Sequence, residues 1–242
     1  MTAIKTDKLT KVYKNLVAVD SLSLTIEEGE LFALLGVNGA GKTTTVRMLS
    51  CLTAPTSGEA YVYGKSITRE SLDVKSFISV SPQETAVAPG LTARENLAMI
   101  AGVHGFTKES REARIAELAE RLKLGEIMDR RAGKLSGGWQ RRLSIAMALV
   151  SDPKVLFLDE PTLGLDVIAR SELWDMIRAL KGRTTVILTT HYMEEAEALS
   201  DRIAIMKDGK LLLTDTAARI KEIAGVDNFE EAFIRIVKGV QL

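Results

Sequence analysis

The segment GVNGAGKT, residues 36–43, constrains the fold of this chain more than any other stretch. It follows the apolar run Leu31–Leu35 and precedes TTVRML at 44–49, an order that predicts a strand, a phosphate-binding loop and a helix. Glycines let backbone N–H groups turn toward a polyphosphate, and the helix N-terminus adds its dipole. Lys42 can place its charge on the β- and γ-phosphates, and Thr43 can ligate Mg²⁺. The loop therefore predicts a nucleoside triphosphate and Mg²⁺ as ligands. The residues expected to contact the nucleotide here are Gly36, Asn38, Gly39, Ala40, Gly41, Lys42, Thr43 and Thr44.

Composition narrows the class of protein. The 242-residue chain is 46% hydrophobic and 26% charged, which indicates a globular protein and not a disordered one. Its 32 basic residues balance 32 acidic ones, so no net field favours nucleic acid, and we expect no nucleic acid partner. The single cysteine, Cys51, excludes an internal disulfide and is typical of a reducing cytosol.

No stretch of the sequence is expected to enter a membrane. The longest uncharged run, 96–107, is far shorter than the roughly 20 residues that span a bilayer. The first residues lack the long apolar segment of a secretory signal. If a membrane matters to function, we expect another chain to supply it.

Hydrophobic patterns predict an α/β protein that contains an inserted helical region. Strand signals in residues 2–35, including the alternating Leu22, Leu24 and Ile26, predict a small antiparallel sheet. From Thr92, three residues before Glu95 as in a capping box, the pattern is helical. Strand and helix patterns then alternate, which predicts a mostly parallel sheet covered on both faces. The further strands are expected at 60–63, 77–81, 155–158, 185–189 and 203–206, with helices at 167–180 and 193–199.

These patterns divide the chain into three parts. We expect a nucleotide-binding core with its antiparallel β subdomain at 1–90 and 152–215, and a helical subdomain at 91–151. A helical tail is expected at 216–242, with an amphipathic helix at 229–237. Asp208-Gly209 predicts a hairpin turn within the core.

Two carboxylates, Asp159 and Glu160, end the apolar strand 155–158. Ligands of parallel sheets collect at the carboxyl ends of the strands. Asp159 is therefore expected to hold Mg²⁺, directly or through water, and Glu160 to act as general base toward the water that attacks the γ-phosphate. The alternative is an ordinary strand end that leads into a turn at Pro161.

The stretch LSGG, 135–138, lies between the phosphate loop and Asp159. With these motifs in this order, the chain resembles the ATPase subunit of ABC transporters, a P-loop NTPase with a RecA-like core. Ser136, Gly137 and Gly138 at a helix start offer N–H groups, a hydroxyl and a positive dipole end to an anion. The resemblance implies a head-to-tail dimer, in which these three residues close over ATP held by the phosphate loop of a second copy. Taken alone, the stretch is a common helix N-cap.

The resemblance implies roles for four further residues. Tyr13 would stack on adenine, although a strand aromatic is also a common core residue. Gln83 would reach Mg²⁺ and the attacking water. Asp166 would end the loop that crosses the dimer interface, and His191 would sense the γ-phosphate. The other histidine, His104 in the helical region, has no such role.

The runs at 91–97, 191–197 and 228–233 resemble the exporter branch that moves drugs, lipids, polysaccharides or ions. The resemblance implies an ATPase that dimerises around two Mg-ATP and drives a separate permease at the cytoplasmic face of the cell membrane. Two alternatives stay open at this point. The first is an ABC-type ATPase that acts on ribosomes or DNA, a class that is typically built of tandem modules or carries a coiled-coil insert. The second is a regulatory module that binds ATP without turnover, which would be expected to lack Glu160 and His191.

Overall fold

The computed structural model describes residues 1–239, which form two β-sheets and the helices packed on them. The strands are β1 (Thr2–Tyr13), β2 (Leu16–Leu22), β3 (Thr25–Glu27), β4 (Leu31–Leu35), β5 (Ser57–Val62), β6 (Lys65–Ser66), β7 (Ile78–Ser81), β8 (Val155–Asp159), β9 (Thr185–Thr190), β10 (Arg202–Lys207) and β11 (Lys210–Asp215). The helices are α1 (Lys42–Leu49), α2 (Ser71–Phe77), α3 (Ala93–Val103), α4 (Lys108–Arg121), α5 (Gly137–Leu149), α6 (Val167–Arg178), α7 (Met193–Leu199), α8 (Ala217–Ala224) and α9 (Phe229–Lys238).

The first sheet is antiparallel, as the sequence predicts, with strand order β2-β1-β5-β6 and with β3 also paired to β1. The expected strand through Leu22, Leu24 and Ile26 is interrupted, since β2 ends at Leu22 and β3 begins at Thr25. The cause is the buried hydroxyl of Thr6, which donates to the Leu22 carbonyl and accepts from the Leu24 N–H, each at 2.9 Å. The side chain thus bonds to the backbone at the break, while the Thr6 N–H still donates to the Leu24 carbonyl at 2.9 Å.

The second sheet has the order β11-β10-β4-β9-β8-β7 and is parallel except at its edge strand β11. Its central strands are buried on both faces. In β4, Leu31 and Leu35 face a cluster shared with the helical region, whereas Phe32 and Leu34 face a second cluster shared with the first sheet and α1. Burial on both faces explains why these strands have continuous apolar sequences and no alternation. The mostly parallel core predicted from the sequence is confirmed.

Helices α3, α4 and α5 form most of the region between 91 and 151. The capping box predicted at the start of α3 is present, with the Thr92 side chain and the Glu95 side chain each bonded to the other's backbone N–H. Leu97, Leu118 and Leu143 are buried in the same cluster as strand residues of the second sheet. Because this core is continuous, the division of the chain at 91 and 151 stays a prediction.

Within residues 1–239, helix α2 is one that the sequence did not predict, whereas α8 lies in the stretch 216–242 that was expected to be helical. In α2 only Val74 is buried, so the helix has no apolar stripe to reveal it. Helix α8 is capped by Thr216 and ends at Gly225 in the left-handed conformation. Helix α9 covers the amphipathic segment predicted at 229–237, whereas 240–242 of the predicted tail lie outside the described residues. Over residues 1–239, none of the helices combines the length and the apolar character that crossing a membrane requires.

Candidate functional site

The phosphate loop connects β4 to α1 at the carboxyl edge of the second sheet, and two of its glycines are required by geometry. Gly41, which precedes α1, has φ 99°, and a Cβ there would lie 2.5 Å from the Ala18 carbonyl oxygen. A Cβ on Gly36 would lie 2.5 Å from the Met206 carbonyl oxygen. Larger residues at either position would push the loop away from the strands beside it.

Several backbone donors of the loop are free within the described part of the chain. Among the described residues, the backbone N–H groups of 38, 39 and 41–44 make no hydrogen bond. The Lys42 ammonium lies under the loop, 5% exposed, and donates to the carbonyls of Gly36 at 2.7 Å and Val37 at 3.3 Å. Burial lowers the pKa of Lys42, and the carboxylates of Glu160 and Asp159 oppose that shift. Unpaired N–H groups around a buried cation fit a polyphosphate.

Asp159 ends β8 beside the loop and is 7% exposed. Its Oδ1 accepts hydrogen bonds from the Thr43 hydroxyl at 3.1 Å and from the Thr189 hydroxyl at 2.5 Å. Thr189 is the residue paired with Asp159 across β8 and β9, so the sheet register fixes this contact. A carboxylate and a threonine hydroxyl at the edge of a phosphate loop are the oxygen donors that Mg²⁺ prefers.

Glu160 follows directly and has an unusual backbone. Its φ of 47° is in the left-handed region, which costs roughly 1–2 kcal/mol for a residue other than glycine. The Glu160 N–H donates to the carbonyl oxygen of Thr189 at 3.1 Å and to its hydroxyl at 3.0 Å, which stabilises this conformation. The side chain then places Oε1 3.7 Å from Lys42 Nζ and Oε2 3.3 Å from His191 Nδ1.

A cavity of about 670 Å³ opens above the loop and brings together most of the predicted site residues. The predicted residues that line it are Tyr13, Asn38, Gly39, Ala40, Gly41, Lys42, Thr43, Thr44, Gln83, Glu160 and His191. Tyr13 lies at the outer end, 41% exposed, with the Lys11 ammonium 5.0 Å from its ring centre. Gly36 and Asp159 lie behind the lining, bonded to Lys42 and Thr43 as described.

The structure does not bring Ser136, Gly137, Gly138 or Asp166 into this cavity. Ser136 and Gly137 are exposed at the start of α5, where the Ser136 hydroxyl accepts from the Trp139 N–H at 3.5 Å. Asp166 caps α6 by accepting from the N–H groups of Ile168 and Ala169. A Cβ on Gly138 would lie 2.9 Å from the Ala169 Cβ, so the two helix starts adjoin each other. They form a second surface within the same copy.

Comparison with known proteins identifies the family. The family model described as ABC transporter matches residues 19–163, and the daunorubicin/doxorubicin resistance ATP-binding protein DrrA of Streptomyces peucetius is 44% identical over 92% of this chain and 68% of its own length. The chain belongs to the ABC transporter ATP-binding family. The Nod factor export ATP-binding protein I of Paraburkholderia xenovorans (strain LB400) is 40% identical to this ABC ATPase over 93% of the chain and 77% of the relative.

A solved dimeric ATP-binding cassette, in a post-hydrolysis state with bound ADP and Pi, superimposes with a TM-score of 0.77 at 27% identity. The match covers 88% of this ABC ATPase and 98% of the solved chain. The P-loop NTPase fold and ATPase activity predicted from the sequence are confirmed.

Sequence reasoning missed Thr189 of this ABC ATPase, whose hydroxyl donates to the Asp159 carboxylate and accepts from the Glu160 backbone N–H. The available signal was a threonine at the carboxyl end of a buried strand, two residues before His191. Its partner could not be identified without the pairing of β8 with β9.

Proposed function

We propose that two copies of this chain enclose two Mg-ATP, and that each site is completed by Ser136, Gly137 and Gly138 of the other copy. The observation that carries this proposal is that the phosphate loop and the N-terminus of α5 lie on separate surfaces within one copy. Residues 38–44 of the phosphate loop line the cavity, whereas the exposed N-terminus of α5 lies outside it. A second copy placed head to tail would bring one surface over the other, and the dimeric cassette structure supports such an arrangement.

Within each site the loop N–H groups and Lys42 would bind the phosphates, and Tyr13 would stack on the adenine. Thr43, Asp159 and Gln83 would hold Mg²⁺, which supplies charge neutralisation at the β- and γ-phosphates. Glu160 would accept a proton from the water whose oxygen attacks the γ-phosphorus, as the bond to the ADP oxygen breaks. His191 would orient Glu160 and contact the γ-phosphate, and Asp166 would meet the partner copy.

We further propose that hydrolysis drives a separate integral membrane permease in export, with this chain at the cytoplasmic face of the membrane. Two relatives support export, since one is named for drug resistance and another for Nod factor export. Of the cargo classes expected from the sequence, namely a drug, lipid, polysaccharide or ion, a drug is favoured by the 44% identity to the drug-resistance protein. Gln83 and the helical region would transmit the conformational change that accompanies ATP hydrolysis to the permease.

The experiment uses Glu160→Gln with ATP and Mg²⁺ on gel filtration. Without the base, closed dimers cannot hydrolyse their ATP, so we expect a dimer that appears only with ATP, and hydrolysis reduced at least about 10²-fold. The control is Glu160→Gln combined with Lys42→Ala, which should remain monomeric because the loop no longer binds the phosphates. A Glu160→Gln protein that stays monomeric at saturating ATP would contradict the proposal.

A further inference from the structure

Arg141, on α5, is a buried cation that the site described above does not use. It is 5% exposed, and it forms no ion pair with a carboxylate of residues 1–239. Its guanidinium donates instead to two backbone carbonyls, from Nη1 to Pro82 at 2.6 Å and from Nη2 to Gln83. Burial of a charge is costly unless its donors are used, so the two carbonyls are what holds this side chain in place.

The segment that Arg141 contacts has little other support. Among the described residues, the backbone of 82–87 makes no hydrogen bond besides these two. The paired part of β7 ends at Ser81, and the next anchor along the chain is Ala88, whose N–H donates to the Asn96 side chain at 2.8 Å. The position of the main chain at Gln83 therefore depends on Arg141.

Arg141 lies on the helix whose start is the proposed covering surface, one turn after Gly137. Three residues further along α5, the Ser144 hydroxyl lies 3.2 Å from the Ser81 hydroxyl at the end of β7. One face of α5 thus follows the end of β7 and the start of the loop after it. Because Ser144 and the buried Leu143 also hold α5, loss of Arg141 should free the loop and leave the helix in place.

Gln83 lines the nucleotide cavity, whereas Arg141 does not. We propose that Arg141 is a positioning residue for ATP hydrolysis, which holds the main chain of Gln83 so that its side chain stays within reach of the bound nucleotide and the attacking water. The same guanidinium fixes Gln83 relative to the start of α5, one turn away. This inference rests on the proposed role of Gln83.

The first test compares steady-state ATP hydrolysis by Arg141→Met and Arg141→Lys. Methionine keeps much of the side-chain length but donates no hydrogen bond, so we expect kcat to fall about tenfold or more. KM for ATP should change less than about twofold, because the phosphate loop is untouched. Lysine keeps the charge but not the fork that reaches both carbonyls, so Arg141→Lys should lose about threefold in kcat.

Arg114→Met is the matched control. Arg114 is also largely buried, with a side chain 11% exposed, and it donates to the carbonyls of Leu149 and Val150 at the other end of α5. Its loss removes the same kind of contact from the same helix without touching 82–87, so kcat should stay within about twofold of the native value. A kcat in Arg141→Met equal to that in Arg114→Met would overturn the inference.

The second test does not depend on turnover. Glu84 follows Gln83 and is exposed, so a glutamate-specific protease can report on this segment. A loop released from Arg141 opens more often, and cleavage after Glu84 should be at least about fivefold faster in Arg141→Met than in the native protein or in Arg114→Met. Mass spectrometry of the fragments identifies the cut. Equal cleavage rates in the three proteins would show that Arg141 does not hold this segment.

The third test is a double-mutant cycle between Arg141→Met and Gln83→Ala. If Arg141 acts by placing Gln83, its loss should cost little once the Gln83 side chain is gone, so the double variant should turn over within about twofold of Gln83→Ala. Arg141→Lys serves in the same cycle if Arg141→Met folds poorly. Fully multiplicative losses would mean that Arg141 acts on hydrolysis by another route, which contradicts the inference.

The two proposals fail in different ways. If Gln83→Ala or Glu160→Gln hydrolyses ATP at the native rate, the role proposed for that residue is wrong whatever Arg141 does. If both are slow while Arg141→Met turns over at the native rate, only the role of Arg141 is wrong.

Discussion

Oε2 of Glu160 lies 3.3 Å from Nδ1 of His191, while the other oxygen of the same carboxylate lies 3.7 Å from the Lys42 ammonium. Glu160 is thus positioned between a residue of the phosphate loop and a residue at the end of β9. Its left-handed backbone, at φ 47°, aims the side chain into this gap. The proposed general base therefore has the imidazole of His191 beside one carboxylate oxygen and the Lys42 ammonium near the other.

We expect His191→Ala to lower kcat by about 10²-fold, because Glu160 loses the group that orients it and the γ-phosphate loses a contact. ATP affinity should change little, since the loop N–H groups and Lys42 are untouched. Phosphate release measures the first quantity and fluorescent nucleotide titration the second. The control is His104→Ala, at the other histidine, which is exposed at the end of α3 and should keep the native rate. Equal rates in the two variants would contradict this reading of the site.

Thr189→Val should lower kcat about tenfold or more, because the hydroxyl aligns Asp159 and the Glu160 backbone together. Thr189→Ser should restore most of the rate. Thr185→Val is a matched control on the same strand, since Thr185 is also buried but accepts from the Gly29 N–H at the far end of β9. Both valine variants lose a buried hydrogen bond and some stability, so only a difference in kcat between them supports the assignment.

Glu195 should make stability depend on pH in a direction set by its raised pKa. Burial raises the pKa above the ordinary value of 4.5, so the folded state binds a proton that the unfolded state has released. The contribution is complete below that ordinary value and is lost as pH rises through the folded pKa. Glutamine does not titrate, so the unfolding free energy of Glu195→Gln minus that of the native protein should increase from about pH 4.5 upward. Urea denaturation at several pH values measures it, and a pH-independent difference would contradict the assignment.

The sequence was most informative where the chemistry is local. The phosphate loop, the two acids after β8 and the Thr92–Glu95 capping box each depend on residues a few positions apart, and patterns of that kind are visible in the chain itself. The alternation of strands and helices likewise predicted the mostly parallel sheet, because strands buried on both faces must be apolar throughout.

Contacts that depend on pairing between distant segments were not predictable. Thr189 meets Asp159 only because β8 and β9 pair in one register, and Glu195 accepts from the Trp174 indole only because α7 packs beside α6. Threonine and glutamate are common residue types, so neither Thr189 nor Glu195 stands out in the sequence as part of a site. The break between β2 and β3 was missed for the same reason, since it depends on the hydroxyl of Thr6 on another strand.

The claim that each hydrolytic site is shared between two copies is tested most directly by mixing two inactive variants. Lys42→Ala disables the phosphate loop. Gly137→Asp places a negative charge on the covering surface, where no atom lies within 4 Å of the added Cβ and the fold should tolerate it. Each variant alone should be inactive, because every dimer would contain two defective sites.

A mixed dimer of these variants would contain one intact site, formed by the phosphate loop of the Gly137→Asp copy and the α5 N-terminus of the Lys42→Ala copy. Mixing equal amounts should therefore restore hydrolysis to about a quarter of the native rate, since half of the dimers are mixed and each carries one working site of two. Native activity of Gly137→Asp alone, or no recovery on mixing while mixed dimers form, would contradict the shared site.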